Sequence, residues 1–200
     1  MDAADTRLRI AEAADRLFYE RGFEATSFAD IAKAVGLSRG NFYYHFKSKD
    51  QILQAVLSRR LEATGALLQS WNDQTDDPAE RIVAFTKILI TNQSQIMAFG
   101  CPVGSLANEL AKLAHPLRDE AAGLLGVFAD WLTEQFAALD RRYDARKLAL
   151  HVLMRSQGVA TLATALRDEA FVRREVDDIE AWIKALPHLA RKPLPQSPLP

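Results

Sequence analysis

The placement of proline and glycine constrains this chain more than any other feature. No proline precedes Pro78, and five of the eight (Pro187, Pro193, Pro195, Pro198 and Pro200) fall within the last 14 residues. The other three, Pro78, Pro102 and Pro116, stand where helices can begin, because proline fits a first helical turn and breaks an interior. Between these marks the apolar residues recur at helical spacing, with no alternating run and no Asn-Gly or Asp-Gly hairpin turn. The pattern predicts an all-α chain of about nine helices. The terminal prolines predict an extended, disordered tail over 188–200.

The first helix is expected over 6–21, with Leu8, Ala11, Ala14, Leu17 and Phe18 on one face, ending at Gly22. A short second helix follows, opened by a Ser27/Asp30 capping box, carrying Phe28, Ile31, Ala32 and Val35, and stopped by Gly36. Ser38 can cap a short third helix holding Phe42 and Phe46, and Ser48 with Gln51 makes a second capping box before a long helix over 48–71. Further helices are expected over 78–99, 104–114, 116–139, 144–167 and 169–186.

Composition narrows the function classes. The chain has 200 residues and a formal net charge of −1, so any nucleic-acid surface must be local. Its one cysteine, Cys101, cannot form an internal disulfide or a thiol-rich metal site, which fits a reducing cytoplasm. Asp2 and Asp5 and the lack of an apolar core argue against a secretory signal, and no apolar run reaches the roughly 18 residues of a membrane span.

Two short helices joined by a tight glycine-containing turn suit either a helix-turn-helix or an ordinary helical corner. Charge tips the balance. Residues 33–60 carry six cations, Lys33, Arg39, Lys47, Lys49, Arg59 and Arg60, against Asp50 alone. That excess is focused on the second helix of the pair and its exit, the kind of patch that phosphates require. The same helix offers Arg39 for guanine, Asn41 for adenine, and Gly40, whose bare backbone can approach a base edge. Tyr43, Tyr44 and His45 can donate to phosphate oxygens, although tyrosines at this spacing also serve as core and a histidine as plain surface. Phe42 and Phe46, four apart, point inward as the anchor.

The stretch GLSRGNFYYHFKSKDQIL, preceded by TSFADIAKAV, resembles the DNA-binding domain of the TetR (tetracycline repressor)-like transcriptional regulators over about residues 7–60. The resemblance implies a three-helix DNA-binding domain over 1–50 and a helical effector-binding and dimerisation domain over 51–187, linked by the long helix. It also implies that Thr26, Ser27, Tyr43, Tyr44, His45 and Lys49 hold phosphates while Arg39, Gly40 and Asn41 face bases. Where Asn41 stands, that family often has threonine, a departure that alters sequence preference. Phe42 replaces a frequent leucine and keeps the anchor.

In the second half, Leu148, Val152, Arg155, Val159, Leu162 and Leu166 recur at alternating spacings of four and three, as do Val172, Val176, Ile179, Ile183 and Leu186. Such a rhythm suits helices packed side by side, either within one subunit or between two. The resemblance implies a homodimer through the last two helices, so Val152, Val159, Leu162, Leu166, Val172, Val176, Ile179 and Ile183 are the expected dimer contacts. It implies a small-molecule effector among the middle helices. Candidates are Phe85, Leu89, Phe99, Cys101, Leu106, Phe128, Trp131 and Met154 with His151 and Arg155, a lining suited to an aromatic or lipophilic compound. The Gly100-Cys101-Pro102-Val103-Gly104 stretch is similar to a segment in one branch of these regulators that borders the effector site. It leaves two readings of Cys101 open, a redox- or electrophile-sensing thiol or an inert one.

The expected outcome is a repressor released from a palindromic operator by its effector. Two alternatives are a thiol-based regulator acting through Cys101 and a helical interaction module without effector. No enzyme is expected. The four histidines lack zinc spacing, no glycine loop cradles a phosphate and Cys101 has no evident base, so no catalytic residue, metal or cofactor is assigned.

Overall fold

Most helix starts have a local cause. The computed structural model describes residues 3–186, apart from the Arg39 side chain; the tail expected at 188–200 lies outside them. Helix α1 (Ala3–Arg21) ends at Gly22, whose φ of +94° suits only glycine without strain. Helix α2 (Phe28–Ala34) opens with both halves of the expected box: Asp30 N–H donates to Ser27 Oγ (3.1 Å) and Ser27 N–H to Asp30 Oδ2 (2.9 Å). Gly36, at φ +68°, turns the chain into α3 (Arg39–His45), where Asn41 N–H donates to Ser38 Oγ. Ser48 caps α4 (Lys49–Gln74) through Gln51 N–H (3.2 Å), but Gln51 Oε1 accepts from Lys47 N–H (2.9 Å), one residue earlier than a reciprocal box requires.

Helix α5 (Pro78–Thr91) starts at Pro78 as expected, and the Asp77 carboxylate caps it by accepting from Ala79 N–H (2.8 Å). The single helix expected over 78–99 is instead broken at Asn92, whose φ and ψ of −104° and 18° leave the helical range, and α6 (Gln93–Phe99) continues beyond it. This break raises the number of α-helices among the described residues to ten. Helix α7 (Pro102–Lys112) starts two residues before Gly104, with Pro102 in its first turn. Helix α8 (Arg118–Phe136) starts two residues after Pro116, because Ala114 at φ +50° and a Leu117 N–H to His115 Nδ1 bond (3.1 Å) shape a turn there. It ends in an irregular turn at 137–141, where Asp140 has φ +62°. Helices α9 (Ala145–Leu166) and α10 (Glu169–Ala185) complete the described chain. No strand and no helix long and apolar enough to cross a membrane occurs among the described residues.

The three helices α1–α3 pack around Ile10, Leu17, Phe18, Ile31, Phe42 and Phe46, yet this core does not close at residue 50. The same cluster takes in Ile52, Leu53, Val56 and Leu57 of α4, Leu106, Ala107 and Leu110 of α7, and Ala121 and Leu124 of α8. A second cluster joins α4, α5, α8, α9 and α10 around Trp71, Phe85, Trp131 and Phe136, and a third joins α5, α6, α9 and α10.

That packing corrects the expected dimer contacts. Val152, Val159, Val172, Val176, Ile179 and Ile183 are all buried inside one chain. Their stripes face α5, α6 and α8, and a side chain already surrounded by its own protomer cannot be the contact surface for another. Ala149, Ser156, Ala160 and Ala163, the small-residue stripe of α9, are buried as well. Leu162 and Leu166 differ: both project from α9 into solvent, in one row with Leu150 and Met154.

Candidate nucleic-acid interface and its coupling to the helical half

Helix α3 is seven residues long, too short to hold its shape alone. Its inner face supplies the hold. Phe42 and Phe46 are fully buried, Phe28 packs edge-on against Phe42 with centroids 4.5 Å apart, and the Arg7 guanidinium lies 4.1 Å from the Phe46 ring centroid. Arg7 also donates to the carbonyl of His45, the last residue of the helix, where a cation suits the negative end of the peptide dipoles.

The outer face is left to solvent. Gly40, Asn41, Tyr43 and Tyr44 are exposed and His45 is half-buried; Arg39 is the first residue of the helix. The Tyr43 ring leans on Phe28 at 4.8 Å and Tyr44 meets His45 edge-on at 5.3 Å. A Cβ at Gly40 would meet nothing within 4 Å, so nothing inside the chain demands glycine there. Ser27 is exposed at the start of α2, although its hydroxyl already donates to Asp30. The Ser27 hydroxyl first, and its N–H second, hold the Asp30 carboxyl below the ordinary aspartate range.

Two expected phosphate ligands are engaged elsewhere. Thr26 is fully buried, and its hydroxyl donates to the carbonyls of Gly22 (2.7 Å) and Leu17 (3.3 Å), closing the turn between α1 and α2. Lys49 Nζ donates to the carbonyls of Phe23 (2.9 Å) and Thr26 (3.2 Å) and sits 4.1 Å from the Phe23 ring centroid. Both therefore brace the turn from inside. Lys47 is exposed on the α3–α4 turn, its Nζ donating to Tyr43 O (2.6 Å).

The braced turn is also gripped from the other half of the molecule. Glu109 of α7 accepts the N–H groups of Phe23 (2.8 Å) and Glu24 (2.9 Å), one on each carboxylate oxygen. A Cβ on Gly22 would stand 3.0 Å from Glu109 Oε1, so Gly22 provides both the left-handed turn and the room for this grip. His115 packs edge-on against Phe23 at 5.0 Å and faces Asp50 at 3.5 Å. Arg60 of α4 pairs with Asp15 of α1 and donates to Pro102 O, and Tyr19 donates to Gly100 O (2.8 Å). Burial first, and the neighbouring Cys101 second, push the Tyr19 phenol up to about 12 against the opposing pull of Arg60, so it remains a neutral donor. Glu109, Arg60 and Tyr19 carry no sequence signal for these roles, since their partners lie 42 to 86 positions away.

The expected effector residues are not gathered around one cavity. Phe85, Phe128 and Trp131 belong to the second core cluster, where Trp131 packs at a tilt against Trp71 with centroids 5.5 Å apart and donates Nε1–H to Asn72 Oδ1 (3.1 Å). Leu89 lies in the third cluster, Phe99 packs against Tyr19, and Arg155 pairs with Glu175 of α10 at 3.0 Å. Leu106 is part of the core under α1–α3 and, with Phe99, lines a small cleft of about 290 Å³ beside Phe18 and Tyr19. Two assignments are corrected. Met154 lies on the outer surface of α9, and the exposed His151 leans at a tilt on Trp182 with centroids 5.1 Å apart, because the inward face of α9 is taken by Val152, Leu153 and Ser156. Cys101 is half-buried at the start of α7, with its sulfur accepting from Gly104 N–H (3.4 Å) and Gln157 Nε2 (3.5 Å). No group of three or more histidine, cysteine or carboxylate side chains is placed to hold a metal among the described residues.

Residues 10–56 match the family model of bacterial regulatory proteins, tetR family, and they contain α2, the turn, α3 and the start of α4. The chain belongs to the TetR family. Among TetR-family relatives, it is 36% identical over 89 residues to the HTH-type transcriptional regulator TtgR of Pseudomonas putida, covering 44% of this chain and 41% of TtgR. It is 35% identical over 121 residues to the HTH-type transcriptional regulator LmrA of Bacillus subtilis, covering 60% and 64% respectively. The matched stretch thus spans about two fifths of TtgR and under two thirds of LmrA. The TetR-family fold extends through the remainder: a transcriptional regulator from Cytophaga hutchinsonii superposes with a TM-score of 0.80 over 92% of this chain and 95% of its own, at 18% identity.

Proposed function

We propose that this TetR-family protein is a sequence-specific DNA-binding transcriptional regulator. Acting as a cytoplasmic homodimer, it represses from a palindromic operator until a small lipophilic effector releases it. The observation that carries the reading is the division of α3. Its apolar residues anchor it fully inside while Asn41, Tyr43 and Tyr44 stand in solvent beside a cationic exit. Gly40 fits the same picture, since no internal contact requires it and a bare backbone allows a groove edge to come close. Residues 1–50 form the reading head in this account, and residues 51–187 take the effector and the second subunit.

One short helix reads few base pairs, whereas two held about one helical turn of DNA apart read a palindrome. The row of Leu150, Met154, Leu162 and Leu166 on α9 supports pairing, because an exposed apolar ridge is stabilised by covering it. The test is selection of DNA fragments by the purified protein, followed by mobility shift on the enriched sequence. A lost base contact at Arg39 costs about 1–3 kcal/mol and the lost phosphate contact at Tyr43 adds to it, so Arg39→Ala with Tyr43→Ala is expected to weaken binding at least tenfold. Unchanged affinity in that double variant, with the same sequence enriched, overturns the assignment of α3 as the reading helix.

A further inference from the structure

An open cleft of about 470 Å³ lies at the junction of the two halves, between α1, α4, α5, α7 and α8. Its size falls within the roughly 300–1,000 Å³ of small-molecule sites. The floor is apolar: Leu67, Ile88, Val103 and Phe128. The rim is charged and unbalanced. Glu12 pairs with Arg59 (3.1 Å) and Asp15 with Arg60, while Arg16, on the same rim, is exposed and has no ion pair among the described residues. Arg59 Nε is in addition buried with no hydrogen-bond partner. Three guanidinium groups thus face two carboxylates over a greasy floor.

We propose that this cleft binds an amphipathic organic monoanion. The apolar body covers Val103 and Phe128, and a carboxylate or similar head group meets Arg16 and Arg59. A neutral amphiphile leaves the extra guanidinium unmatched, and a cation is repelled by it; a single negative charge completes the rim. Planar guanidinium groups pair well with carboxylates in particular. Of the residues expected from the sequence to line an effector site, Phe128 alone reaches this cleft.

The location gives the ligand a route to the reading head. Pro102 and Val103 form the first turn of α7, and Glu109 of the same helix holds the N–H groups of Phe23 and Glu24. Arg60, on the rim, donates to Pro102 O. A molecule seated between α4 and the start of α7 therefore presses on the helix that grips the α1–α2 turn. This consequence rests on the regulator reading above; the binding itself does not.

Calorimetric titration of the full-length protein with decanoate, and separately with its uncharged counterpart decanamide, tests the proposal. We expect one decanoate per chain and at least tenfold weaker binding of decanamide. Val103→Trp, which fills the floor, and Arg16→Glu, which reverses an exposed rim charge without touching the core, should each weaken decanoate at least tenfold. Equal affinity for the two probes, or undiminished decanoate binding in Arg16→Glu, overturns the site. Mobility shift of the same wild-type preparation separates the two claims. Operator binding without decanoate binding removes only the cleft proposal; decanoate binding without any operator binding removes only the regulator reading.

Discussion

Helices α3 and α9 both turn large side chains into water, and they do so in opposite ways. On α3 the exposed residues are Tyr43 (48% exposed) and Tyr44 (75%), with hydroxyls that bond to phosphate or water equally well. On α9 they are Leu150 (47%), Met154 (62%), Leu162 (45%) and Leu166 (61%), which offer nothing to water. The α3 residues need no partner for stability, so their exposure marks a surface kept ready. The α9 ridge repeats every four residues apart from Gly158, the spacing that packs into the grooves of another helix. Exposure alone says little; the chemistry of what is exposed separates the proposed nucleic-acid face on α3 from the proposed subunit face on α9.

Breaking the α9 side of this contrast should have the largest effect. Leu162→Asp with Leu166→Asp places two charges on the ridge, and removing central apolar anchors costs about 2 kcal/mol or more each. We expect self-association to weaken at least a hundredfold by analytical ultracentrifugation, with helical content unchanged. A double variant that stays dimeric at micromolar concentration shows that the ridge is not the contact.

Loosening the link between the two regions should come next. Glu109→Ala leaves the Phe23 and Glu24 N–H groups without their acceptor, at a local cost of about 1–3 kcal/mol. Amide exchange at those two positions should accelerate roughly tenfold or more while the α9–α10 amides keep their protection. Operator binding should weaken with it. Unchanged exchange at both amides removes Glu109 from the coupling.

The smallest effect sharpens the α3 side. Asp30, in the cap of α2, is held below its ordinary range by Ser27. A group depressed in the folded state contributes stability that is present above the unfolded value and lost as pH falls through the folded one. The melting temperature of the wild type should therefore exceed that of Asp30→Asn at neutral pH, and the gap should close below about pH 4. A gap that persists well below that range contradicts the cap assignment.

Much of the fold is legible in the sequence because its signals are local. Ser27, Ser38 and Ser48 cap the helices that follow them, and Gly22 and Gly36 take the left-handed turns that end α1 and α2. Phe42 and Phe46, four apart, had to share a face, which put Tyr43 and Tyr44 on another. These relations span one helical turn and depend only on backbone geometry.

Other features were decided by the tertiary structure alone. The three-four rhythm of α9 and α10 is the same whether the neighbouring helix belongs to the same chain or another, so spacing could not place Val152 or Ile179 inside and Leu166 outside. Thr26 and Lys49 have the chemistry of phosphate ligands, yet carbonyls of the α1–α2 turn reach them first. The Glu109 grip and the shared core under α1–α3 join residues up to 86 positions apart. Local propensity registers what a residue does within one turn of helix. Which surfaces meet depends on how all the helices fill space together, and that is settled only when they pack.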